Sequence, residues 1–203
     1  MTLLPKPNRY RNWLVLAVLY LCAAAIGVGS AWVTLRKLPG NQHSVKVGAW
    51  VGSTLTGSTQ ADMYTRARVA LEGLLALSRD ETMYYVAYTD DAGRPLRVTC
   101  SYRVTGIPPA ARWWSVTAYA EDLFLFAAAN GHYSLNSTIA QLDTEGRFAL
   151  RTGPTAPSSE YWLPTPGDGQ LVLTLRLYHP ASFLQADPGK LTAPSIVPTG
   201  GCA

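Results

Sequence analysis

Residues 12–35, NWLVLAVLYLCAAAIGVGSAWVTL, run for 24 positions without an Asp, Glu, Lys, Arg or His. A run of that length reads as a helix that crosses a bilayer, because in hydrocarbon the backbone must satisfy its own hydrogen bonds. Trp13 and Trp32 lie 19 residues apart, which at ~1.5 Å per residue is ~28 Å, close to a hydrocarbon thickness of ~30 Å. Arg9 and Arg11 stand before the run and Arg36 and Lys37 after it, so Arg9, Arg11, Trp13, Trp32, Arg36 and Lys37 form a candidate membrane interface with lipid as a partner. A cleaved signal peptide is the rival reading. The run continues well past a signal-peptide core and ends in a Trp and two bases, which favours a retained signal-anchor. Lys6, Arg9, Arg11 and the α-amino group outweigh Arg36, Lys37 and the more distant Lys46, which orients the N-terminus inside and the rest of the chain outside. Ala23, Gly27 and Ala31 share one helix face, a spacing that permits close helix packing and a homo-oligomer.

The same segment accounts for the net charge of +4. Residues 1–37 carry five bases and no acid; the remainder carries 12 bases against 13 acids. The domain beyond the anchor is close to neutral and lacks the basic footprint of a nucleic-acid binder. Its 166 residues suit one domain with a substantial core. At 48% apolar and 15% charged residues, the chain is not disordered.

Residues 38–60 are rich in Gly, Ser and Thr and read as a linker with one short extended stretch near Trp50. Residues 61–79 place Tyr64, Ala67, Leu71, Leu74, Leu75 and Leu77 largely at helical spacing, predicting one amphipathic helix packed on the domain. From Thr82 onward the texture is β. Residues 82–89 and 96–105, around a turn at 90–95, predict one hairpin; residues 112–119 predict a strand. Residues 136–142 and 147–152 predict a second hairpin, and 171–178 a last strand with its leucines on one face. Together they predict a mainly β domain over 61–203: a jelly-roll-like antiparallel β-sandwich with one packed helix, preceded by a single transmembrane helix.

No His or Cys pair has metal-ligand spacing and no nucleophile elbow occurs, so neither a metal nor a cofactor is expected. Cys100 and Cys202 are a candidate disulfide if the domain is exported to an oxidising space. The densest constellation is aromatic and cationic. Arg112, Trp114, Tyr119, His132, Tyr133, Trp162, Arg176, Tyr178 and His179 are candidate ligand-binding residues, with rings to stack a flat ligand and arginines to hold an anion. The competing reading places the large rings in a sandwich core.

Several pieces occur in a telling order: Trp113-Trp114-Ser115-Val116-Thr117-Ala118-Tyr119, then His132-Tyr133-Ser134, Tyr161-Trp162-Leu163-Pro164, and Arg176-Leu177-Tyr178-His179-Pro180. That series resembles the family called domain of unknown function 1214 over about residues 80–198, with His132 and Tyr161 standing where the family has Arg and Asn. The resemblance implies a bacterial envelope protein with a jelly-roll-like domain, no established activity, and a separate partner protein of the family called domain of unknown function 1254. The expected protein is a single-pass inner-membrane protein whose periplasmic domain binds a ligand or partner without catalysis. The alternative is an enzyme subunit or carbohydrate-active domain with an Arg/His cleft.

Overall fold

The computed structural model describes residues 9–37, 44–54, 58, 61–71 and 77–200. They fall into two compact units, Met1–Gly40 and Asn41–Ala203.

The first unit contains α1 (Arg9–Lys37). Its stretch Asn12–Thr34 has a mean hydropathy of 2.3 and no buried residue, so by length and composition it is able to cross a membrane. The Ser30 and Thr34 hydroxyls are satisfied internally: Ser30 donates to the Gly27 carbonyl and Thr34 to the Ser30 carbonyl, which lowers the penalty of exposing them to lipid. Trp13 and Trp32 are exposed. The side chains of Arg9, Arg11, Arg36 and Lys37 lie outside the described set.

The second unit is mainly β. Its elements are β1 (Ser44–Val47), β2 (Trp50–Ser53), α2 (Met63–Leu71), β3 (Thr82–Ala87), β4 (Ser101–Gly106), β5 (Ala111–Tyr119), β6 (Ser134–Asn136), β7 (Phe148–Gly153), β8 (Trp162–Pro164), β9 (Val172–Pro180), α3 (Ser182–Ala186) and β10 (Ser195–Gly200). They build a six-stranded sheet in the order β1-β2-β3-β9-β5-β6 and a four-stranded sheet in the order β10-β4-β7-β8. All pairings are antiparallel except β7 with β8.

Much of the predicted linker is sheet. β1 and β2 pair antiparallel around Gly48 and Ala49, with Gly48 at a φ of +61°, where a side chain would be strained. Trp50 is wholly buried and its indole N–H donates to the Pro194 carbonyl at 2.7 Å. The Gly/Ser/Thr composition concealed strands only four residues long. The predicted helix over 61–79 is found over Met63–Leu71. Asp62 starts it, accepting bonds from the Thr65 amide and hydroxyl. The chain is no longer helical at 77–80, and residues 72–76, with Leu74 and Leu75, lie outside the described set.

Both predicted hairpins have the right turn and the wrong partner. Asp90 organises the first reversal, accepting bonds from the Ala92 and Arg94 amides and the Arg94 guanidinium. Thr89 then bridges Pro95. A second turn at Cys100, whose amide bonds the Arg97 carbonyl, sends β4 into the other sheet. In the second case Asn136 accepts from the Thr138 amide and turns the chain away from β5, so β6 ends after three residues. Asp143 then builds the reversal that feeds β7 into the four-stranded sheet.

The core lies between the sheets. Leu173, Leu175 and Leu177 of β9, Trp114 and Val116 of β5 and Tyr85 of β3 meet Tyr102, Val104, Phe148, Leu150 and Ile196. Gly153, at a φ of +152°, lies so close to Ser101 that an added Cβ would strike it. Cys100 sits buried just before β4 and is disulfide-bonded, Cys22 is free, and Cys202 lies outside the described residues.

If β2 belongs to the domain, Trp50→Ala lowers stability by about 3–5 kcal/mol in denaturant unfolding of the full chain; a loss under about 1 kcal/mol would return the segment to a linker. Asp90 offers a pH test. Desolvation works against its charge, but the Arg94 and Ala92 hydrogen bonds and the Arg94 charge outweigh it, so its carboxyl lies below the ordinary value. Its contribution is present above the unfolded carboxyl pKa of about 3.9 and is lost as pH falls through the lower folded value. Asp90→Asn is expected to flatten that acid limb of the stability curve, and an unchanged limb would contradict the assignment.

Candidate functional site

Strand alternation sorts the side chains of the six-stranded sheet into two faces. On β9, Leu173, Leu175 and Leu177 enter the core, so Thr174, Arg176 and Tyr178 take the opposite face. Trp113, Ser115, Thr117 and Tyr119 of β5 and Thr82, Tyr84 and Val86 of β3 join them by register. Three cross-strand rows result: Thr82–Tyr178–Trp113, Tyr84–Arg176–Ser115 and Val86–Thr174–Thr117. The face is aromatic and hydroxyl-rich, with Arg176 at its centre.

The Arg176 side chain runs along the strand towards Tyr119. Its Nη2 donates to the Tyr119 hydroxyl at 2.7 Å and its Nη1 to Thr117 Oγ1 at 3.3 Å, and its Cζ lies 5.3 Å from the Tyr119 ring centroid. Among the described residues no carboxylate pairs with it. Tyr178 packs edge-on against Trp113 with ring centroids 5.2 Å apart. Desolvation, reinforced by Tyr178 and opposed by Arg176, raises the Tyr84 hydroxyl above its ordinary value and keeps it protonated at neutral pH.

Of the nine candidate residues, the fold brings Tyr119, Arg176 and Tyr178 onto this face. Trp114 belongs to the core instead, 3% exposed and 4.6 Å from the Phe148 ring. Adjacent strand residues must point to opposite faces, so Trp113 and Trp114 could not both line one site. Arg112 has the parity of Trp114 and is exposed at the start of β5. His179 has a φ of +45°, its amide donates to the Glu81 carbonyl, and its ring lies 3.6 Å from the Glu81 carboxylate.

His132, Tyr133 and Trp162 belong to a third place, where β6 of one sheet comes near β8 of the other. His132 stacks on Tyr161 with centroids 4.6 Å apart and planes at 12°. The Tyr161 hydroxyl donates to the Ser134 carbonyl, the Asn130 amide to the Trp162 carbonyl, and the Trp162 indole to the Gly153 carbonyl. These bonds close one side of the sandwich; Tyr133 stands nearby and half exposed. Arg176 and His132 thus sit in different hydrogen-bonded settings, Arg112 stands across from His179 at the other end of the β5–β9 pair, and the four do not share a described contact.

Tyr84 and Thr117 were missed as members of the Arg176 face. Their alternation is visible in the sequence, but the register that sets them beside Arg176 is not. Among the described residues no group of three or more His, Cys, Asp or Glu could hold a metal ion. On the four-stranded sheet a depression of about 260 Å³ is lined by Arg103, Thr105, Asp143, Glu145 and Arg147. It is smaller than the ~300–1,000 Å³ common for small-molecule sites.

Comparison with known proteins finds a family of unknown function and solved structures of similar fold. No curated protein matches the chain. The crystal structure of the VPA0106 protein from Vibrio parahaemolyticus is similar, with a TM-score of 0.56 and 21% identity over 68% of this chain and 35% of that one. An uncharacterised protein from Burkholderia cenocepacia matches at a TM-score of 0.45 and 16% identity, over 58% of this chain and 29% of that one. The chain thus spans about a third of the length of these solved proteins. The family model described as protein of unknown function (DUF1214) matches residues 81–182, half of the chain, including both strands that carry Arg176 and its hydroxyl partners. The chain belongs to that family.

Proposed function

We propose that this protein is a single-pass, inner-membrane-anchored envelope protein whose periplasmic, jelly-roll-like β domain is a non-catalytic binding module. The observation that carries the reading is the face of the six-stranded sheet turned away from its leucines, where half-buried Arg176, Tyr119, Tyr178 and Trp113 lie among buried hydroxyl groups and, among the described residues, no nucleophile–base pair is formed. The anchor reading is supported by the apolar helix and its flanking bases. Export is supported by the disulfide at Cys100, since such bonds persist in oxidising compartments. The partner is a separate protein of the domain of unknown function 1254 family, with lipid around α1 and self-association through Ala23, Gly27 and Ala31 as the further contacts.

The chain, tagged and purified from gently solubilised membranes beside a Trp113→Ala/Tyr178→Ala variant, tests this reading. The expected result is a protein that resists alkaline extraction from membranes and retains a stoichiometric partner in the wild type, with at least tenfold less partner in the variant. Release by alkaline extraction would overturn the anchor. Equal partner retention by a folded variant would overturn the use of this face.

A further inference from the structure

The domain treats its partly buried arginines unequally. Arg151 is paired with Glu160 at 2.7 Å, and Arg79 bonds the Gln185 and Thr54 carbonyls. Of the exposed arginines, Arg94 and Arg103 have carboxylates, Asp90 and Glu160, while Arg97, Arg112 and Arg147 have no ion pair among the described residues and are left to water. Arg176 has two hydroxyls and no anion among the described residues, although a partly desolvated charge favours a charged counterpart.

We propose that the Arg176 guanidinium binds the oxyanion, carboxylate or phosphate, of a small ligand that lies on the Tyr119 side of the face. The proposal rests on the binding-module reading and names its ligand class. A guanidinium has five N–H donors; those to Thr117 and Tyr119 fix its plane and leave others for a bidentate oxyanion. Its row partners Tyr84 and Ser115, and Thr117 and Thr174 of the next row, are neutral, so none of them repels an anion. The Tyr119 ring supplies an apolar wall for the body of the ligand.

Isothermal titration of the full chain in detergent, at constant ionic strength, tests the proposal with inorganic phosphate, D-glucuronate and neutral D-glucose. The expected result is saturable binding of phosphate or glucuronate, none of glucose, and at least tenfold weaker binding by Arg176→Gln. The probe that binds tells a headgroup-like phosphate from an acidic sugar. Arg176→Lys keeps the charge and loses the fork, so intermediate affinity is expected; it carries the test if Arg176→Gln does not fold. Unchanged binding by either variant, or no saturable binding of either oxyanion, would overturn the proposal. Glucose binding that survives Arg176→Gln would also overturn it while leaving the binding-module reading standing, as would a wild type that retains its partner but takes neither oxyanion.

Discussion

Strand β9 is hydrogen-bonded to β5 on one side and β3 on the other, and its alternate side chains enter two different environments. Leu173, Leu175 and Leu177 are wholly buried between the sheets. Each contributes about 1.5–3 kcal/mol relative to exposure. That packing fixes the register of the central strands, and the register sets Thr117 and Tyr119 where Arg176 can reach them. A slip of one residue would exchange the faces, placing a guanidinium in the core and leucines outside.

The rest of the domain protects this arrangement. β4 and β7 bring Tyr102, Val104, Phe148 and Leu150 over the leucines. The bonds from Tyr161 and Asn130 join the β6 side to the β8 side, where both strands are only three residues long. Pro164 ends β8 without an N–H to offer another chain, as suits an edge. Trp50 reaches the Pro194 carbonyl and ties the first hairpin to the segment leading into β10.

Local features were legible in the sequence and distant ones were not. The uncharged run over 12–35, the alternation of β9 and the aspartate-led turns at 90–94 and 143–147 all follow from neighbouring residues. Which strand each turn feeds depends on pairings between residues far apart, so both hairpins were drawn within one sheet. β1 and β2 were hidden because a four-residue strand among glycines and serines has too few positions to show a period. Trp114 illustrates the limit on the site: its neighbour Trp113 faces outward, and only the burial of β5 tells which of the two is core. The face around Arg176 needed three strands in register, of which the sequence showed the alternation alone.

Arg176 is held on this face by hydroxyls and a ring rather than by an acid, an arrangement that suits recognition more than stability. A polar group kept for function is expected to be dispensable, or even unfavourable, for folding. The direct measurement is the unfolding free energy of the full chain and its Arg176→Met variant by denaturant titration. An Arg176→Met variant within about 1 kcal/mol of the wild type, or more stable, agrees with this account. A loss of about 3 kcal/mol or more, the scale of emptying a core position, would make Arg176 a structural residue and contradict it.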